Sequence, residues 1–254
     1  MNAIILCAGQ GRRLLPLTAD VPKCLLKVGG QPILAWQLMG LASAGVHEVC
    51  IVTGFRAEAV EAAASILAPR HVRIQTVHNP FFAVAENIGS CFLSRHLLRS
   101  SGTILLNGDT LFEPEIARRL LTSPEAPITV TTDRKQTYDA DDMKVSLDGS
   151  RLRAVAKTLA PEETDGESIG MLLFRGTGGG LFAAELEHAL READGLGRWY
   201  LSVVDALAKT GVVQAASIEG LSWAEIDYPL DLARADAAVR SWPGPELQAV
   251  AGWP

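Results

Sequence analysis

Along its first half the chain alternates short, uninterrupted apolar runs with segments whose apolar positions recur at helical spacing. Residues 3–7, Ala-Ile-Ile-Leu-Cys, are the first run, and residues 49–53, 72–77 and 103–106 repeat it. Helical periodicity fills residues 58–67 and 87–98, and an earlier helical pattern begins near Pro32 after a long loop at residues 8–28. Runs this short and this apolar predict strands buried on both faces, and their alternation with helices predicts a parallel sheet between two helical layers. Ligands of such sheets bind beyond the carboxyl ends of the strands, so residues 8–13 and 107–110 are expected to line one cleft.

The second half changes rhythm. Residues 128–132, 144–147, 152–157 and 170–174 read as strands, with an Asp148-Gly149 turn between the second and third. They predict an antiparallel addition to the sheet. Helical patterns follow at residues 180–193 and 201–209, then a strand at residues 212–218 and a last helix from Pro229. The Pro/Gly-rich tail at residues 243–254 is expected to be loosely ordered. The fold class expected is a three-layer α/β/α, Rossmann-like arrangement on a mixed, mainly parallel sheet, with residues 1–242 as a single domain.

Composition narrows the partners. With 48% hydrophobic and 20% charged residues the chain is an ordinary globular protein, and a net charge of −6 argues against a nucleic acid held through many phosphate contacts. Cys7, Cys24, Cys50 and Cys91 stand singly in apolar surroundings, without metal-ligand spacing, and are expected to be reduced core residues. No apolar stretch is long enough to span a bilayer, and no signal-peptide pattern opens the chain. A cytoplasmic monomer or homodimer without membrane contact is expected.

The richest segment is residues 6–28, which read Leu-Cys-Ala-Gly-Gln-Gly-Arg-Arg-Leu-Leu-Pro-Leu-Thr through Thr18 and then contain Pro22-Lys23-Cys24-Leu25-Leu26. Glycines at positions 9 and 11 allow backbone N–H groups to approach a polyphosphate, and Arg12, Arg13 and Lys23 supply charge against one that develops during transfer. A dinucleotide fingerprint would need a third glycine where Leu14 stands and an acidic residue after the second strand, where the chain has Thr53 and Gly54.

This string resembles the signature of nucleotidyltransferases that activate sugar phosphates and phosphocholine, close to LxAGxGxRLxPLTxxxPKxLxxV, with every fixed position met from Leu6 to Val28. The resemblance implies the nucleotidyltransferase (GT-A-like) fold type, with residues 1–110 as a nucleotide-binding half and residues 111–242 as an acceptor-binding half. It implies that the loop, through Leu6, Ala8, Gly9, Gly11, Arg12 and Arg13, holds the NTP triphosphate and that Lys23 contacts reactant phosphate. Asn107-Gly108-Asp109-Thr110 is similar to the family's Gly-Asp motif, whose aspartate coordinates Mg²⁺, a hard cation suited to carboxylate and phosphate oxygens. Residues 223–232, Trp-Ala-Glu-Ile-Asp-Tyr-Pro-Leu-Asp-Leu, resemble the family's late acidic element, and Asp227 is the expected second metal carboxylate. Arg12, Lys23, Asp109 and Asp227 are thus the expected catalytic set. Asp231 is assigned to the start of the Pro229 helix.

Residues 79–90 are similar to the matching stretch of the phosphocholine cytidylyltransferase branch, which makes CTP the favoured nucleotide and Glu86, Asn87 and Ser90 its base-side contacts. The acidic run Asp139, Asp141 and Asp142 suits a cationic head group, with Trp199, Tyr200, Trp223 and Tyr138 as aromatic walls. Lys144 and Lys157 alternate with apolar neighbours and are expected to hold the acceptor's phosphate or phosphonate. Residues 167–174 resemble the family's strand that backs the acceptor site, which implies substrate contact by Glu167 and Ser168, and Glu225 completes the acceptor set, lying on the face of Asp227 if that segment is extended. The expected reaction is attack by the acceptor phosphate on the α-phosphorus of CTP, with pyrophosphate leaving. A sugar-1-phosphate nucleotidyltransferase is the nearest alternative, and a silent nucleotide-sensing subunit is the alternative from another class. Retention of both metal carboxylates argues against silence.

Overall fold

Strand β1 (Asn2–Cys7) explains its own unbroken apolar run. Ala3, Ile5 and Cys7 enter one buried cluster, whereas Ile4 and Leu6 enter another on the opposite face of the sheet. The computed structural model describes residues 1–99 and 102–242, so the expectation for the tail at residues 243–254 lies outside the described residues. After β1 come the short β2 (Lys27–Val28) and β3 (Gln31–Pro32), α1 (Ile33–Ser43), β4 (Glu48–Thr53), α2 (Ala57–Leu67), β5 (Arg73–His78), α3 (Asn87–Ser94) and β6 (Thr103–Asn107). The same alternation recurs in β4, where Val49 and Ile51 face the first cluster and Cys50 and Val52 the second.

The chain continues through β7 (Thr110–Phe112), α4 (Pro114–Leu121), β8 (Ile128–Asp133), β9 (Lys144–Asp148), β10 (Arg151–Ala156), β11 (Gly166–Phe174), α5 (Gly178–Ala189), α6 (Tyr200–Ala208), β12 (Val213–Ser217), β13 (Trp223–Glu225) and α7 (Pro229–Val239). Nine strands form one sheet in the order β5-β4-β1-β6-β11-β8-β12-β10-β9. Strands β1, β4, β5 and β6 run parallel, as their alternation with helices requires. The three-layer, mixed α/β class is therefore the observed one.

Strands β8 to β11 form the antiparallel addition expected of them. Strand β11 runs antiparallel to β6 and β8, and β10 runs antiparallel to β9, but β12 lies parallel to β8. The reason is the helix pair α5 and α6, which returns the chain to the end of the sheet where β11 finished. There Arg175 N donates to Pro127 O and Ile128 N donates to Val212 O, so β12 starts beside the start of β8. The helix expected over residues 87–98 is α helical only to Ser94 and tightens to a 3₁₀ turn from Arg95.

The four cysteines are unpaired and buried. Among the described residues no helix is long and apolar enough to cross a membrane.

Candidate active site

A cleft of about 460 Å³ opens at the carboxyl ends of β1 and β6. Its floor begins with the loop after β1. Gly11 adopts φ 75° there, a left-handed conformation that a residue with a Cβ resists, and it starts the 3₁₀ turn Arg12–Leu14. Thr18 Oγ1 and Leu14 N both donate to Gly11 O, at 2.8 and 3.0 Å. Fully buried Leu14 anchors the turn in the small core beneath α7. With loop and anchor fixed, Arg12 and Arg13 project toward solvent at the cleft mouth.

Opposite the loop, Gly108 N donates to Leu6 O at 3.1 Å, and a Cβ on Gly108 would fall 2.5 Å from that same oxygen. This close approach sets Asp109 against the phosphate loop. Strand β13 then pairs antiparallel with β7, with Glu225 opposite Thr110, and Ile226 N donates to Asp109 O at 3.2 Å. Two segments more than a hundred residues apart thereby bring Asp109, Glu225 and Asp227 together, each with a carboxylate oxygen within 4.8 Å of the others. The backbone of Asp227 is fixed in turn by α7: Asp231 Oδ2 accepts from Asp227 N at 3.0 Å and from Tyr228 N at 2.7 Å.

Cations of the chain are threaded between these acids. Lys23 Nζ donates to Asp109 Oδ2 at 2.7 Å and to Asp227 Oδ1 at 2.6 Å. Arg13 donates to Asp227 Oδ2 at 2.8 Å and, from its other arm, to Asp141 Oδ2 at 3.0 Å. Burial alone would lower the Lys23 ammonium, but the charges of Asp109 and Asp227 outweigh it and hold it above its ordinary value. Glu225 is exposed as a residue, yet the protein atoms packed around its carboxyl, reinforced by the charges of Asp109 and Asp227, push that carboxyl up to about 8. Asp109 Oδ1 is buried with no hydrogen-bond partner. Three hard carboxylate donors, one with an unsatisfied oxygen, fit a divalent cation such as Mg²⁺.

The wall of the cleft expected to face the base comes from the start of α3. Leu6, Ala8, Gly9, Gly11, Arg12, Arg13, Lys23, Glu86, Asn87, Ser90 and Asp109 all line the cleft. Ser90 is buried and its hydroxyl accepts from Asn79 Nδ2 at 3.0 Å. Asn87 Oδ1 accepts from Tyr200 N at 2.9 Å, so this side chain satisfies the start of α6 as well as lining the cleft.

On the acceptor side, Asp141, Lys157, Glu167 and Glu225 line the cleft. Asp141 spans it: besides Arg13 it accepts from Lys157 Nζ at 3.1 Å and from the Tyr228 hydroxyl at 3.3 Å. Lys135 Nζ lies 3.0 Å from Glu167 Oε2 and 2.7 Å from Asp142 Oδ2. Burial, only partly offset by Lys135, pushes the Glu167 carboxyl up to about 7.

Four residues of the expected acceptor set stand elsewhere. Tyr200 is wholly buried at the start of α6, edge-on to Phe182, because the turn into that helix exposes Trp199 to the cleft instead. Trp223 packs against the core and its indole donates to Asp133 Oδ2 at 2.7 Å. Lys144 is buried on β9, its ammonium donating to the carbonyls of Asp139 and Lys157 at 2.5 and 2.9 Å, where it pins the loop over residues 139–142. Asp139 closes that loop internally by accepting from Asp141 N and Asp142 N.

Conversely, Asn79, Phe82, Met143, Gly170 and Leu201 line the cleft without having been assigned to it. Ser168, expected beside Glu167, also lines the cleft, where pairing of β11 with β8 shifts register between Ser168 and Leu172. Glu225 belongs with the two aspartates rather than with the acceptor wall. The pattern's own spacing also puts its arginine at position 13, and it is Arg13, not Arg12, that is tied to Asp227.

The chain is 34% identical over 245 residues to the CMP-5'-(3-aminopropyl)phosphonate synthase of Streptomyces rubellomurinus, a match covering 93% of this chain and 38% of that longer protein. It is 25% identical over 259 residues to the CTP:phosphoglutamine cytidylyltransferase of Campylobacter jejuni, covering 91% of this chain and 98% of the relative. The solved CTP:phosphocholine cytidylyltransferase of Streptococcus pneumoniae superposes with a TM-score of 0.77 at 20% identity, covering 94% of this chain and 98% of the other, which establishes the common fold. The MobA-like NTP transferase domain matches residues 3–207, the span that carries the phosphate loop and Asp109, and the chain belongs to that family.

Proposed function

We propose that the protein is a Mg²⁺-dependent cytidylyltransferase that moves CMP from CTP to phosphocholine or a related aminoalkyl phosphate or phosphonate. The observation that carries the reading is the convergence of Asp109, Glu225 and Asp227 beside the Lys23 and Arg13 cations. In this reading residues 1–242 act as one transferase domain in the cytoplasm, which the continuous nine-stranded sheet and the four unpaired cysteines support. The cytidylyltransferase relatives support CTP as donor.

Asp109 and Asp227 would hold the Mg²⁺, assisted by Glu225, and the ion would supply charge neutralisation for the phosphates it contacts. The Gly9 to Arg13 loop holds the triphosphate through backbone N–H groups and the two arginines. An oxygen of the acceptor's phosphate or phosphonate attacks the α-phosphorus in line, its new P–O bond replacing the bond to pyrophosphate. That oxygen is already anionic, so no base is needed and orientation supplies most of the rate. Lys157 directs the acceptor's anionic end, and Glu167, Asp141 and Trp199 form an acidic and aromatic wall suited to its ammonium.

Pyrophosphate release with CTP, MgCl₂ and a panel of acceptors tests the reading. Phosphocholine, 2-aminoethylphosphonate or 3-aminopropylphosphonate should support turnover and sugar 1-phosphates should not. Release with sugar 1-phosphates alone would replace the acceptor claim with NDP-sugar synthesis. Asp109→Asn should lower turnover by roughly a hundredfold or more while leaving the fold intact, and unchanged turnover would remove Asp109 from the metal site.

A further inference from the structure

Of the four oxygens on Asp109 and Asp227, three are held by cations of the chain itself. Asp109 Oδ2 and Asp227 Oδ1 accept from Lys23, and Asp227 Oδ2 accepts from Arg13. Only Asp109 Oδ1 is without a partner. A divalent cation shared by these two carboxylates would sit within a few ångströms of the Lys23 ammonium, and two cations that close repel strongly in a partly buried site. Side-chain exposures of 12% for Lys23 and 15% for Asp227 leave little water to screen them.

We propose that Lys23 is a tethered counter-ion of the metal site, which occupies the carboxylate pair in the ligand-free protein and competes with the divalent cation for it. The inference rests on the metal reading above. Its second support is the way the lysine is seated. The stem of Lys23 runs along the phosphate loop so closely that a Cβ on Gly11 would lie 3.0 Å from it. An ammonium released from Asp109 and Asp227 thus needs only to rotate about its own stem to face a phosphate on that loop. Lys23 then has two successive partners: the carboxylates before the cation arrives, and a reactant phosphate afterwards. The exchange keeps the acids neutralised while the site is empty, since Asp109 and Asp227 would otherwise face one another with only Arg13, on Asp227, to offset them.

The consequence runs against the usual expectation for a lysine in a transfer site. Removing it should strengthen cation binding while weakening catalysis. Mn²⁺, which reports binding directly through loss of the free-ion electron paramagnetic resonance signal, is the probe, titrated into nucleotide-free protein. Lys23→Met and Lys23→Gln should bind Mn²⁺ more tightly than wild type, by roughly tenfold, and Asp109→Asn in either background should abolish the binding. Thermal melts cover a loss of folding: Mn²⁺ should raise the midpoint of Lys23→Met more than that of wild type, because the cation replaces the missing ammonium. Equal or weaker Mn²⁺ binding by both variants would overturn the inference and leave the metal reading standing. Absence of Mn²⁺ binding in wild type and variants alike would overturn the metal reading and the inference with it. A Lys23→Met protein that stays unfolded in excess Mn²⁺ would also count against the counter-ion role.

Discussion

The ammonium of Lys157 lies 4.3 Å from the ring centroid of Trp199, on the wall of the cleft opposite the phosphate loop. Lys157 also reaches Asp141, so the indole and the carboxylate hold it from two sides. An exposed cation–π contact contributes about 0.5–1 kcal/mol. Trp199→Leu is therefore expected to raise the acceptor KM by roughly two- to fivefold with little change in the KM for CTP. Steady-state kinetics with each substrate varied in turn checks this, and an effect confined to CTP would take Trp199 off the acceptor wall.

Arg13 and Arg12 are neighbours with unequal duties. The guanidinium of Arg13 divides its two arms between Asp227 and Asp141, a geometry that a lysine's single ammonium cannot copy. Arg13→Lys should lower kcat/KM for the nucleotide by about tenfold or more, and Arg12→Lys by distinctly less. Equal losses in the two variants would show that the fork on Asp227 has no special role.

Glu167 makes stability depend on pH. Its carboxyl is raised to about 7 in the folded protein, chiefly by burial, so the folded state binds a proton more tightly than the unfolded chain does. Its destabilising effect is absent well below the ordinary glutamate pKa. It grows as pH rises toward 7, and is complete above that value. Glu167→Gln abolishes the titration, and the melting midpoint of the variant relative to wild type should climb between pH 4.5 and 7 and then level off, a gain on the order of 1–3 kcal/mol. A difference that stays flat across this window would mean that Glu167 titrates normally.

What could be read from the chain follows from how local each feature is. The phosphate loop, Lys23 and the Gly108-Asp109 turn were legible as contiguous strings, although the turn itself is held by Leu6 O and Ile226 N from far along the chain. Asp227 was legible for the same reason. Glu225 was visible as an acid on the right face, but its grouping with Asp109 depends on pairing between β13 and β7, two strands of three residues each that carry little signal of their own. Tyr200 and Trp199 show the limit most clearly. Adjacent aromatics at a helix start are interchangeable by composition, and only the entry angle of α6 sends one into the core and the other into the cleft. Lys144 and Lys157 were likewise equivalent by alternation until the 139–142 loop supplied carbonyls to one of them.

Along the alternating charges from Asp109 through Lys23, Asp227, Arg13 and Asp141 to Lys157, side-chain exposure is low around Lys23 and Asp227, at 12% and 15%, and peaks at Arg13 and Asp141, at 45% and 52%. Dissolved salt screens the Arg13–Asp141 link first and the links of Lys23 least. The cleft accordingly has one stiff jaw and one yielding jaw. The stiff jaw is set by β1, the β7–β13 ribbon and the cap of α7, and altering it means altering the core. The yielding jaw hangs on the loop between β8 and β9, where residues can be exchanged without disturbing a strand. Selection for a new acceptor would therefore find the loop easier to alter than the core, while the stiff jaw is passed on unchanged.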